Sequence, residues 1–107
     1  MNAIAIAALN DALRRTLQGG RVVMTARVAA LPPEQKLVIL QRVRMFNHFT
    51  EENDPYGEHD FGAFKVDGER YLFKIDYYDL TLTMGSEDPA DPEQTCRVLT
   101  IMHASDY

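Results

Sequence analysis

The dipeptide Asp67-Gly68 places the tightest constraint on how this chain folds, because it lies between two segments of alternating polarity. Asp-Gly suits a two-residue hairpin turn, in which both central residues need positive φ. The resulting register places Gly62, which has no side chain, opposite the ring of Phe73. We expect the hairpin to bury one face, which carries Phe64, Val66, Tyr71, Phe73, Ile75 and Tyr77.

The first half of the chain has the periodicities of a helix, a strand and a second helix. From about Asn2 to Gln18, apolar residues recur every three to four positions, and Gly19-Gly20 follows as a stop signal. From Val22 to Ala30 the period becomes two, which is typical of a half-buried strand. Pro32-Pro33 ends that strand and starts a helix that is predicted to run to about Phe46.

The second half begins with a polar, turn-rich loop from Asn47 to Gly57 and continues into the hairpin. After a turn or bulge near Tyr78-Asp79, the alternation resumes and predicts a further strand with Leu80, Leu82 and Met84 buried. Asp91 is a natural N-cap with Pro92 at the first helical position, and it predicts a final helix that carries Thr95, Val98, Leu99 and Met102 on its apolar stripe.

The predicted order is therefore α-β-α-β-β-β-α, in the α+β class. It corresponds to an antiparallel sheet of about four strands with three helices, in a single domain of residues 1–107. No apolar run approaches the roughly 18 residues that a membrane span needs. Cys96 is the single cysteine, so no internal disulfide can form, and a cytoplasmic location is expected.

Charge is distributed unevenly along the chain, whose net charge is −5. Residues 1–50 carry seven basic and two acidic side chains, a net of +5, whereas residues 51–107 carry fourteen acidic and four basic ones, a net of −10. An acidic half repels nucleic acid and suits a basic protein surface. A solvated surface in which both halves mix in space is the alternative.

Four residues of the second half, Glu58, His59, Asp60 and Asp76, could form a metal site or the active site of a small hydrolase. The calcium-loop pattern counted from Glu52 fails, because its fifth and twelfth positions hold Tyr56 and Ala63. Alternation also sends His59 to the opposite face from Glu58 and Asp60. His59 instead lies across from Asp76, and Asp60 falls on the apolar face opposite Ile75. No catalytic residue, metal or cofactor is therefore predicted.

Exposed tyrosines among acidic residues favour a protein-binding surface instead. Tyrosine contributes strongly to binding energy, and carboxylates complement a basic partner. The predicted contact residues are Glu51, Glu52, Asp54, Glu58, Tyr77, Tyr78, Asp79, Glu87, Asp88 and Asp91. We therefore expect a non-enzymatic module that binds a basic protein surface, with no direct binding of nucleic acid or membrane.

The helix predicted over residues 33–46 is apolar on more than one face. Ile39, Leu40 and Val43 belong to the main stripe, and Leu37 and Val38 lie outside it. Such a helix is either buried between layers or shared with a second chain. A homodimeric accessory protein that pairs through residues 33–46 is therefore a third hypothesis.

Several stretches resemble an uncharacterised family of short bacterial proteins, a domain of unknown function that is often carried on plasmids and prophages. The similarity begins at about Thr25 and is carried by Asn53–Gly62, Lys74–Asp79, Gly85–Pro92 and Arg97–Met102. The resemblance implies no activity, cofactor or catalytic residue. It implies a setting in which small acidic proteins often inhibit host defence complexes, such as CRISPR complexes or restriction enzymes, in some cases by imitating the charge of DNA.

Overall fold

Helices pack on a four-stranded sheet in the computed structural model, which describes residues 2–107. The elements, in chain order, are α1 (Ala3–Thr16), β1 (Arg21–Met24), α2 (Ala26–Ala29), α3 (Pro33–Met45), β2 (Phe61–Val66), β3 (Glu69–Tyr78), β4 (Cys96–His103) and a 3₁₀ turn (Ala104–Asp106). The α+β class is confirmed.

The β2–β3 hairpin is confirmed in the predicted register. Its register pairs are Val66–Glu69, Phe64–Tyr71 and Gly62–Phe73. Asp67 and Gly68 both have positive φ, 51° and 80°, as the two-residue turn requires. A Cβ on Gly62 would lie 2.5 Å from the Phe73 ring and 2.7 Å from the Phe46 ring, so only glycine fits between them.

The sheet is mixed, and the prediction of a purely antiparallel sheet is wrong. The strand order is β1-β4-β3-β2; β2, β3 and β4 are antiparallel neighbours, but β1 is parallel to β4, with Arg21 opposite Val98. Helices α2 and α3 and the loop after them carry the chain from one edge of the sheet to the other. Strands β1 and β2 are therefore the two edges, and β4 fills the space between β1 and β3.

The predicted final helix is a strand, β4. Asp91 does cap a turn, since its carboxylate accepts a hydrogen bond from the Glu93 N–H at 2.9 Å, but the turn ends before Cys96. The spacing of apolar residues over Cys96–His103 fits both the period of a helix and the period of a strand. The strand buries Leu99 and Ile101 on one face, as expected for a segment rich in β-branched residues.

The strand predicted over residues 80–84 is a loop, and its apolar side chains are exposed. The Asp79 carboxylate accepts hydrogen bonds from the backbone N–H of Thr81 and Thr83, and Leu82 has a left-handed φ of 60°. The backbone therefore curls at Asp79 and cannot extend along β4.

The first and second long helices are confirmed at 3–16 and 33–45 against the predicted 2–18 and 33–46. Leu17, not a glycine, takes the left-handed C-cap of α1 at φ 61°. The first strand is shorter than the predicted 22–30, because Ala26–Ala29 form the short helix α2, which buries Val28 completely.

The core lies between the helices and one face of the sheet. Its fully buried members come from α1, α2, α3 and the two inner strands: Leu13, Val28, Ile39, Val43, Phe73, Leu99 and Ile101. Within residues 2–107, no helix combines the length and the apolar character that crossing a bilayer requires.

Candidate functional site

The β3–β4 loop, residues 79–95, is the most unusual segment of the fold. It connects two adjacent antiparallel strands with seventeen residues, whereas the β2–β3 turn connects such a pair with two. The loop contains no lysine or arginine, and its five acidic residues are Asp79, Glu87, Asp88, Asp91 and Glu93. Loops of this length inside a small domain usually have a function of their own.

The loop is ordered by hydrogen bonds that its own carboxylates accept and by those of its hydroxyl groups. The pKa of Asp79 lies below its usual value, chiefly because the carboxylate accepts a hydrogen bond from the Thr83 N–H, and next because it accepts one from the Thr81 hydroxyl. The Ser86 N–H donates to the Tyr77 carbonyl at 3.0 Å, which ties the middle of the loop to the end of β3. The loop is therefore a shaped surface and not a flexible tether.

Three apolar side chains of the same loop face solvent. Leu80 is 65% exposed, Met84 is 71% exposed and Leu82 is 37% exposed. Leu80 and Met84 line one depression with Asp79, Glu87 and Glu93. Apolar side chains bordered by charged ones are the usual composition of a protein-binding surface.

The buried side chain of Arg97 connects this loop to α1. Its side chain is 2% exposed; Nη2 donates to the Pro89 carbonyl of the loop, and Nε donates to Asn10 Oδ1 of α1 at 2.9 Å. The guanidinium lies 5.3 Å from the centre of the Tyr77 ring. Burial lowers the pKa of Arg97, and Tyr77 and Glu58 oppose that shift.

Tyr77 and Glu58 belong to the same polar network. The Tyr77 hydroxyl donates to Glu58 Oε1 at 2.8 Å and accepts from Asn10 Nδ2 at 2.8 Å. Burial is the main reason that the pKa of Tyr77 is raised. Both residues were predicted to contact a partner, and the structure places them half-buried, bonded to each other and to Asn10.

The predicted contact residues differ in how exposed they are and in which groove they line. Glu58, Glu87 and Asp88 line one depression, so the structure brings part of the 51–60 segment next to the loop. Glu51 and Glu52 are exposed in a separate groove beside Phe61. Tyr78 is half-buried opposite Gly85. The Asp91 carboxylate accepts a hydrogen bond from the Glu93 N–H within its own turn.

Asp54 was predicted to be a contact residue, but it is only 7% exposed. Its carboxylate accepts hydrogen bonds from the backbone N–H of Glu58 and His59, at 3.0 and 3.1 Å. These bonds hold the chain in a sharp turn, where His59 has a positive φ of 57°. Asp54 therefore stabilises the turn as a buried hydrogen-bond acceptor.

Two of the four residues of the enzyme hypothesis, His59 and Asp76, pair with side chains outside the set. His59 Nδ1 lies 3.0 Å from Asp11 Oδ1, and its ring stacks on Phe49, because the turn breaks the strand before His59 can reach Asp76. Asp76 instead pairs with Lys74, so the predicted juxtaposition of His59 and Asp76 is wrong. Within residues 2–107, no group of three or more histidine, cysteine or acidic residues is placed to hold a metal ion.

Asp60 lies where the sequence placed it, opposite Ile75, whose N–H donates to the Asp60 carbonyl at 2.9 Å. Burial raises the pKa of its half-buried carboxyl, and the nearby acids Glu58, Asp54 and Asp76 add to the effect. The backbone hydrogen bond adds Asp60 and Ile75 to the pairs of the hairpin.

Two polar residues of α1, Asn10 and Arg14, are fully buried. Asn10 follows Ile6 by four positions and precedes Leu13 by three, so the helical period itself places it on the apolar stripe. Arg14 donates to the carbonyls of Val43 and Phe46 at 2.9 and 2.6 Å. It thereby binds the end of α3, and burial lowers its pKa.

The helix predicted to serve a homodimer leaves three large apolar side chains in solvent. Leu37 is 59% exposed, Val38 is 48% exposed and Met45 is 76% exposed. The face is therefore available to a second chain, and pairing through residues 33–46 stays a prediction.

These features describe an α+β domain whose sheet carries one long, acidic, internally ordered loop. The chain belongs to the family described as Protein of unknown function (DUF3768), whose model matches residues 24–106. The match confirms the predicted membership of a family of unknown function from about Thr25. It includes the whole β3–β4 loop and Arg97, whereas Asn10 and Arg14 of α1 lie outside it. No curated protein and no solved structure matches the chain.

Proposed function

We propose that this domain acts by association with another protein, and that the β3–β4 loop is its contact surface for a basic partner. The observation that carries the proposal is the combination, on one ordered loop, of five acidic residues, no basic residue and two largely exposed apolar side chains, Leu80 and Met84. Neither the charge nor the exposed apolar area is needed to connect two neighbouring strands.

The two kinds of side chain have different physical roles in such a contact. Leu80 and Met84 supply apolar area whose removal from water favours binding. The surrounding carboxylates, Asp79, Glu87 and Glu93, speed the approach of a positively charged surface and discriminate against acidic proteins. Because the loop is already ordered, little conformational entropy is lost on binding.

A more specific version of the proposal is that the partner is a nucleic-acid-binding protein of a host defence complex. Such a protein presents a basic groove to DNA or RNA, and the acidic loop would compete for that groove by charge. This version rests on the resemblance described above and on the loop's charge. Its signature is that duplex DNA and this protein displace each other from the partner.

The test is affinity capture from the organism that carries the gene, comparing the wild-type protein with Leu80→Ser/Met84→Ser. The matched control is Leu37→Ser/Met45→Ser, which removes exposed apolar area of similar size from α3. We expect one basic protein to be captured by the wild type and by the α3 control, and lost with the loop variant. Capture that survives the loop variant and is lost with the α3 control would assign the contact to α3 instead.

Charge is tested separately with the captured partner. Glu87→Lys should slow association and weaken the salt dependence of binding, whereas Glu34→Lys changes the net charge equally at an exposed position on α3 and should leave both unchanged. Equal effects of the two variants would show that only the total charge matters and would contradict a contact through the loop.

A further inference from the structure

The outer edge of β2 presents backbone groups that the fold leaves unpaired. In an antiparallel pair, successive residues alternate between bonding to the neighbouring strand and pointing away from it. The Ile75 N–H donates to the Asp60 carbonyl at 2.9 Å, which fixes the phase of this alternation. Gly62, Phe64 and Val66 therefore bond to β3, and the backbone groups of Phe61, Ala63 and Lys65 point outward.

Arg42 confirms this phase independently. Its Nη1 donates to the outward carbonyl of Lys65 at 2.8 Å. Among the hydrogen bonds of residues 2–107, the outward groups of Phe61 and Ala63 have no partner. An edge of this kind accepts another strand unless it is blocked.

The charges along this edge are arranged so that the edge complements itself. Lys65 is exposed at one end, with Arg42 beside it. At the other end, Phe61 lines a groove with the exposed acids Glu51 and Glu52. The edge is therefore basic at its C-terminal end and acidic at its N-terminal end.

We propose that two copies of this chain pair through their β2 edges, antiparallel and centred on Ala63. Ala63 would then face Ala63 of the second copy, and Phe61 would face Lys65. This register pairs the outward backbone groups of both strands, with the Lys65 carbonyl accepting the Phe61 N–H of the other copy in addition to Arg42. It also brings each Lys65 to the Glu51 and Glu52 of the other copy. The opposite, parallel arrangement would place like charges together at both ends.

This contact is small, because it joins strands of six residues, so we expect a weak and reversible dimer whose stability falls with salt. The inference does not rest on the proposed function. The β3–β4 loop follows β3 at one end of the sheet, and the pairing uses the β2 edge.

Sedimentation equilibrium over a range of concentrations tests the pairing. Ala63→Pro removes the central outward N–H without removing a hairpin hydrogen bond, and proline is tolerated on edge strands. We expect the wild type and the control Ala63→Thr to dimerise and Ala63→Pro to remain monomeric. Amide exchange gives a second readout, since the Phe61 and Ala63 amides should become protected as the concentration rises.

A charge exchange keeps the test decisive if proline perturbs the strand. Lys65→Glu alone and Glu51→Lys/Glu52→Lys alone should each weaken dimerisation at least tenfold, and the combined variant should restore it. A wild-type protein that is monomeric at every concentration would overturn the proposal. So would a dimer that ignores these changes and is lost with Leu37→Ser/Met45→Ser, since that dimer forms through α3.

Discussion

The two connections that flank β3 solve the same geometric problem at very different lengths. The β2–β3 turn joins antiparallel neighbours with Asp67 and Gly68 alone, and the β3–β4 loop uses seventeen residues for an equivalent step. The short turn is determined by backbone conformation. The long loop is determined by side chains, since carboxylates and a buried arginine hold it in shape. The difference identifies the long loop as the segment whose form is not explained by the fold alone.

The largest effect should follow from removing the anchor of the long loop. Arg97→Ala leaves Asn10 Oδ1 and the Pro89 backbone carbonyl without their donor and opens a cavity, so we expect a loss of about 3 kcal/mol in the free energy of unfolding. Urea denaturation measures this loss. Amide exchange should show that the loop amide of Ser86 loses protection before the hairpin amides do; uniform loss of protection would contradict a local anchor.

The next effect concerns the hairpin that the short turn closes. Gly62→Val places methyl groups between the rings of Phe73 and Phe46, so it should destabilise the domain by about 1–3 kcal/mol through overpacking. Ala63→Val, one position along on the outer face, should stay within about 0.5 kcal/mol of the wild type. Thermal denaturation of both variants checks the register, because equal effects would mean that Gly62 does not face the core.

A small effect is expected at the exposed part of the long loop. Leu80→Ser/Met84→Ser should change the free energy of unfolding by no more than about 0.5 kcal/mol, since both side chains are already in water. Leu99→Ser, which introduces the same residue at a fully buried position, should cost several times more. If the loop variant were as unstable as Leu99→Ser, Leu80 and Met84 would belong to the core.

The smallest expected effect is a pH dependence of the order of the long loop. The folded pKa of Asp79 lies below its usual value, so its ordering of the loop is fully present above the usual pKa of an aspartate and is lost as the pH falls through the folded pKa. Acidification should therefore lower the protection of the Thr81 and Thr83 amides, relative to their intrinsic exchange rates at each pH, before it affects the hairpin. In Asp79→Ala, which removes the acceptor, these amides should be unprotected at every pH; a pH profile unchanged from the wild type would contradict the role of the carboxylate.

The sequence was most informative where a local interaction determines the structure. Asp67-Gly68 sets the hairpin register without help from distant residues, and the glycine at position 62 follows from that register. The two long helices were also predictable, because their apolar period continues over several turns.

Prediction failed where distant or competing groups decide the outcome. The segment from Cys96 to His103 has an apolar spacing that fits both a helix and a strand, and the choice is made by β1 and β3, which lie far away in sequence. Leu80 and Met84 alternate like strand residues, but the Asp79 carboxylate binds the backbone first. Arg97 could not be identified as an anchor, because its acceptor Asn10 lies 87 residues away.

The parallel pairing of β1 with β4 has a consequence for how the molecule reaches its native state. Arg21 pairs with Val98, which follows it by 77 residues, so this contact closes the longest loop in the sheet. During synthesis, β1 emerges early and has no neighbour until β4 has been made. Pairings this distant in sequence slow the folding rate, whereas the β2–β3 hairpin can form as soon as its own residues are available. The inner strand of the sheet is thus the last to be placed, and until then both β1 and β3 have an edge open to aggregation.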